Sequence, residues 1–139
     1  MPNEEQTRVP GNLTRRLLNR LAESVHAARD RTPSELLLAA EVHLERVRAA
    51  HKRDCLVNYR LAAAMLNVMQ TVVADWAALP PSSQPWLLGA MNYFVEYDDE
   101  EPDLKSPIGF EDDAEVLNAC LRLAGRDGLC LNTEDYDDV

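Results

Sequence analysis

From Asn12 onward, apolar residues recur at three- and four-residue spacing: Leu13, Leu17, Leu21, Val25 and Ala28 form one stripe, with Arg15, Arg16, Arg20 and Arg29 between them. This pattern predicts an amphipathic helix with a single core-facing side. Thr32, Pro33 and Glu35 then make a strong helix start, because Thr32 can cap, Pro33 suits the first helical position and Glu35 completes a capping box. Leu36, Leu37, Ala40, Leu44 and Val47 form the buried stripe of this second helix, and the polar run from Arg48 to Asp54 ends or kinks it. Neither Gly nor Pro interrupts the chain between Pro33 and Pro80, so the pattern leaves open one continuous helix.

From Cys55 to Trp76 the chain is apolar on nearly all sides, which predicts a central core helix surrounded by others. The run Leu79-Pro80-Pro81-Ser82-Ser83-Gln84-Pro85 breaks the pattern, since adjacent prolines remove donors and disfavour helical geometry before them. Ser83 or Gln84 is the expected cap of the next helix, Trp86 to Val95, with Leu87, Leu88, Met91, Phe94 and Val95 inward. Asp112 with Glu115 reads as a second capping box, opening a helix through Val116, Leu117, Cys120 and Leu121 that Gly125 stops. The predicted fold is all-α, one small bundle of about five helices over residues 12–125. Residues 1–11 are expected to be disordered, and 126–139 to form an irregular or disordered acidic tail with Leu129-Cys130-Leu131 exposed.

At 139 residues and 46% hydrophobic content, one domain with a real core is the default. The net charge of -10 is unevenly placed: residues 1–54 hold ten Lys/Arg against eight Asp/Glu, and the remainder four against sixteen. Such a field repels phosphates and anionic lipid and favours a basic protein partner; no direct nucleic-acid binding is expected. No charged apolar leader opens the chain, and no apolar run reaches the roughly 18–20 residues a bilayer needs, so the expectation is a cytoplasmic protein without a membrane span. Cys55, Cys120 and Cys130 form no close-spaced pair, and reduced thiols are expected, with Cys55 and Cys120 in the core.

The chemistry-bearing stretch is acidic. Asp98, Asp99, Glu100, Glu101, Asp103, Glu111, Asp112, Asp113 and Glu115 fall between Asp98 and Glu115. Hard divalent cations take several oxygen ligands at about 2.0–2.6 Å, which such a loop can supply, but Pro102-Asp103 is incompatible with an EF-hand. The plainer account places Asp112, Asp113 and Glu115 at a helix N-terminus, where negative charge is favoured, and Asp103 after Pro102 in a turn. Asp112 and Asp113 also diverge by about 100° around a helix. His26, His43 and His51 are too dispersed for one ion, and Ser82 and Ser83 lack a Gly-rich elbow.

The residues Tyr93, Phe94, Asp99, Pro102, Asp103, Gly109, Asp112 and Asp113 resemble, in order and spacing, the motif of the YkvA family, over roughly residues 86–124. That bacterial family has no assigned function, and the resemblance assigns Tyr93, Pro102, Gly109 and Asp112 to its structural motif, with Glu115 following in the predicted cap. Family members have aliphatic residues where this chain has Glu100, Glu101 and Glu111, and many continue into a membrane-spanning helix. The leading expectation is a non-enzymatic adaptor or regulatory protein without a cofactor, presenting Asp98, Asp99, Glu100, Glu101, Asp103 and Glu111 to a basic partner. The alternatives are a divalent-cation protein or metal-assisted hydrolase built on Asp99, Asp103, Asp112 and Asp113, and a nucleic-acid mimic that inhibits a DNA- or RNA-binding enzyme.

Overall fold

The computed structural model describes residues 9–53, 58–96 and 110–136. Among them the chain is all-α, with five α-helices and no strand: α1 (Arg15–Ala27), α2 (Pro33–Arg53), α3 (Tyr59–Ala74), α4 (Gln84–Glu96) and α5 (Glu111–Leu123). Short 3-10 turns at Trp76–Ala78, Pro81–Ser83, Asp127–Leu129 and Thr133–Tyr136 complete it. Of the disorder expected over residues 1–11, residues 1–8 lie outside the described residues, as does the acidic end after Tyr136; within 9–11 Pro10 is buried, so the expectation is corrected there.

Helix starts follow local chemistry where a side chain can reach the first turn. Thr14 Oγ1 accepts from Leu17 N–H at 3.1 Å and opens α1. The Thr32/Glu35 box forms in both directions: Thr32 Oγ1 accepts from Glu35 N–H at 3.1 Å, and Glu35 Oε1 accepts from Thr32 N–H at 2.9 Å. The Thr32 N–H bond holds the Glu35 carboxyl below its usual pKa. Thr32→Ala is expected to cost about 1 kcal/mol; an unchanged urea midpoint would show that the box adds nothing to stability.

The second helix runs through Arg48 to Arg53, where His51, Lys52 and Arg53 put positive charge at its C-terminal end. Asn58 then opens α3 with its own cap, Oδ1 accepting from Leu61 N–H at 3.1 Å, so α2 and α3 are separate helices.

Four expectations are corrected by packing. The helix at the centre is α4, which packs against α1, α2 and α5, whereas α3 lies on α2 and the Thr133–Tyr136 turn with Asn67, Gln70 and Thr71 exposed. Gly89 makes this centre possible: a Cβ there would overlap Val25 Cγ2 and come within 3.0 Å of the Val25 backbone, so only glycine admits α1 this closely. Nearby, the buried Asn92 donates to Ser24 Oγ at 3.1 Å, joining α1 and α4 through a satisfied polar pair.

Neither Ser83 nor Gln84 caps α4. Ser83 Oγ donates to the Pro80 carbonyl at 2.7 Å, and Gln84 Nε2 donates to the Trp76 and Leu79 carbonyls at 3.2 and 3.3 Å. Both side chains satisfy the proline connector's acceptors instead. The Asp112/Glu115 box is absent as well, because Phe110 occupies the N-cap position without a side-chain bond and α5 begins at Glu111. Burial of the Phe110 ring overrides the local capping preference.

The stop at Gly125 is as expected. With φ at 74° it accepts the left-handed conformation, and Arg126 N–H reaches the Leu121 carbonyl at 2.8 Å in a Schellman closure. Beyond it the chain stays on the bundle. Leu129, Cys130, Leu131 and Tyr136 are partly buried against the core, so the predicted exposure of Leu129-Cys130-Leu131 is corrected. The tie is Asn118, which donates to the Leu131 carbonyl at 2.7 Å and accepts from its N–H at 2.8 Å. Arg126 adds an ion pair to Asp75 at 2.9 Å, and Arg60 lies 5.9 Å from the Tyr136 ring centroid. Burial pushes the Cys120 thiol far above its ordinary pKa and raises Cys130 as well, against the nearby Arg122 charge. Cys55 lies outside the described residues.

Candidate functional site

The end of α4 and the start of α5 meet at one end of the bundle. Phe94 and Phe110, both buried, hold the two sides together with ring centroids 6.0 Å apart. His43 of α2 closes the cluster, its ring 4.8 Å from Phe94 at 87° and 6.4 Å from Phe110, an edge-to-face arrangement. This buried histidine belongs to the aromatic core of the site, a role its position on α2 became able to fill only when three helices met.

Around this core the charged residues separate by depth. Asp112 faces outward and lies 3.6 Å from Arg16 of α1. Asp113, the next residue, is buried. The rotation of one helical residue therefore sends the adjacent carboxylates to different environments. Glu111 and Glu115 are exposed. One turn along α1 from Arg16, the Arg20 guanidinium sits 5.7 Å from the centroid of the buried Tyr93 ring. Arg16 and Arg20 were not singled out as site residues by sequence; their four-residue spacing on one helix face was the available signal.

Of the acidic residues expected to meet a partner, Asp98, Asp99, Glu100, Glu101 and Asp103 lie outside the described residues, as do Pro102 and Gly109; Glu111 is in place at the start of α5. Of the four expected cation ligands, Asp112 and Asp113 are described and Asp99 and Asp103 are not. Among the described residues no group of three or more His, Cys, Asp or Glu side chains is placed to hold a metal ion. No described helix is long and apolar enough to cross a membrane.

A second feature adjoins this end. Val95 of α4 borders an open groove of about 380 Å³ along α2, lined also by Arg31, Glu35, Leu38, Ala39, Val42, His43 and Arg46. Leu38 and Val42 stand outside the buried stripe of α2 and are 62% and 50% exposed. Their four-residue spacing on a face apart from the Leu36–Leu44 stripe was the sequence signal for this groove.

No family model, curated protein or solved structure matches this chain.

Proposed function

We propose that this protein is a non-enzymatic helical interaction protein, a cytoplasmic adaptor or regulatory subunit that presents the acidic stretch from Asp98 to Glu115 to a basic partner surface. One observation carries the reading: the residues that flank the most acidic part of that stretch, Phe94 and Phe110, are in contact. Phe94 and Phe110 sit with ring centroids 6.0 Å apart. Between them the sequence holds Glu96, Asp98, Asp99, Glu100, Glu101 and Asp103 against Lys105. A high density of acids in one short stretch of chain gives a negative potential that steers a positively charged surface toward it. At the described α4–α5 end, Arg16 pairs with Asp112 and Arg20 lies over the Tyr93 ring.

Of the eight residues that carry the YkvA resemblance, Tyr93, Phe94, Asp112 and Asp113 lie in α4 and α5, and Asp99, Pro102, Asp103 and Gly109 lie outside the described residues.

The test is capture of a partner on the immobilised chain at low salt and its release at about 0.5 M salt, where exposed charge contacts are screened over only a few ångströms. Replacing Asp98, Asp99, Glu100 and Glu101 together by Asn and Gln is expected to lower capture at least about tenfold, the effect of losing roughly 1.4 kcal/mol of contact energy. Equal capture by the neutral variant would overturn the reading. Competition between DNA and this protein for the captured partner separates nucleic-acid mimicry from general adaptor function.

A further inference from the structure

The outward face of α2 carries two large apolar side chains one helical turn apart, Leu38 at 62% and Val42 at 50% exposure. A single exposed aliphatic residue is ordinary on a protein surface. Here the pair lines one open groove together with Ala39 and Val95 of α4. Leu38 and Val42 therefore form part of the groove's wall on one exposed face of α2.

The two ends of this face carry opposite charge, with Glu35 lining the groove toward the start of α2 and Arg46 lining it toward the end. Measured from the middle of the Leu38–Val42 pair, Glu35 is about 8 Å along the axis in one direction and Arg46 about 9 Å in the other. A second copy of α2 laid antiparallel across a two-fold axis at that midpoint brings each Leu38 against the partner's Val42. The same operation brings each Glu35 opposite the partner's Arg46. A parallel arrangement would oppose Glu35 to Glu35 and Arg46 to Arg46. A two-fold interface requires this kind of self-complementarity, with each contact made twice.

Charge elsewhere on the chain points to the same face. Two copies each carrying a net charge of -10 repel one another, and sixteen of the acids lie after residue 54. The segment containing α2 is close to balanced, with ten Lys/Arg against eight Asp/Glu in residues 1–54. Two molecules can therefore approach through α2 at less electrostatic cost than through the acidic end. We propose that the chain forms a two-fold homodimer by antiparallel packing of α2 on its counterpart through Glu35, Leu38, Val42 and Arg46. The proposal is independent of the acidic-partner reading, because the two use different residues.

Sedimentation equilibrium of the full chain tests it. At about 100 μM the wild-type protein is expected to have twice its chain mass and to dissociate on dilution, as mass action requires. The double variant Leu38→Glu, Val42→Glu is expected to sediment at the chain mass of 15.6 kDa with an unchanged far-UV dichroism spectrum, since both sites are exposed. Arg46→Glu alone, and Glu35→Arg alone once its far-UV dichroism shows that loss of the Thr32 cap bond leaves α2 folded, are each expected to weaken the dimer about tenfold, two opposed contacts being reversed in each case. Mixing these two single variants restores association as a heterodimer, because both contacts then pair opposite charges. A monomeric wild type at this concentration, or a dimer that persists in the Leu38→Glu, Val42→Glu variant, overturns the proposal. Failure of the mixed variants to associate overturns the antiparallel register.

Discussion

Phe94→Ala is expected to lower the free energy of unfolding by about 3–5 kcal/mol, the range for emptying a buried aromatic site. The ring is 0% exposed and packs between His43 at 4.8 Å and Phe110 at 6.0 Å, so its removal takes the shared contact from α2, α4 and the start of α5 together. Three elements from different parts of the sequence cannot all close on the vacated space without moving relative to one another. The expected fall in melting temperature is about 10–15 °C for a chain of this size. Urea and thermal unfolding check it, and a loss below about 1 kcal/mol would show that this cluster does not hold the bundle end together. If the proposed acidic-partner reading holds, partner capture at a temperature where the variant remains folded should also fall, since Phe94 and Phe110 flank the acidic residues in sequence.

Gly89→Leu is expected to be comparably damaging, with Gly89→Ala a milder version whose sign is set by two opposed effects. Alanine in place of glycine gains about 1 kcal/mol of helix propensity. Its Cβ, however, would overlap Val25 Cγ2 and approach the Val25 N and Cα at 3.0 Å. The methyl group can turn away, but the backbone of α1 can yield only by separation of the two helices. Overpacking of this kind costs about 1–3 kcal/mol, enough to outweigh the propensity gain. Gly89→Leu adds three more carbons to the same contact and should exceed the upper end. Val25→Ala, which removes Cγ2, should recover part of the Gly89→Ala loss in a double-mutant cycle. A stabilised Gly89→Ala protein would mean that α1 and α4 do not approach as closely as Val25 indicates.

Features decided within one or two helical turns were legible in the residues. The Thr32/Glu35 box, the stop at Gly125 and the core stripe of α1 each depend on side chains three or four positions apart, and all three stand as the spacing implies. The all-α class follows from the same periodicity. The divergence of Asp112 and Asp113 is also local, because one residue of helix rotation separates them in any helical context.

Where a distant neighbour competed, local reasoning gave way. Asp112 is a good capping residue, yet Phe110 takes the N-cap position because its ring finds Phe94 and His43. Ser83 and Gln84 are fair caps, yet the connector before them leaves carbonyls that both side chains satisfy. Cys55–Trp76 is apolar enough to suggest the middle of a bundle, whereas α4, interrupted by Gly89 and Asn92, occupies that place. Those interruptions are what the centre uses: the glycine admits α1 closely, and the asparagine meets Ser24.

The sequence by itself determined the helical class, the helix start at Thr32 and Glu35, the stop at Gly125, the uneven charge, and the acidic composition of the stretch before α5. Only the tertiary structure decided which helix lies at the centre, which carboxylate of the Asp112–Asp113 pair is buried, that Leu129 to Leu131 dock through Asn118, and that Leu38 and Val42 face outward beside a groove. Spacing along a helix specifies which residues share a side, but burial of that side depends on close approach, complementary shape and available hydrogen-bond partners from segments tens of residues away.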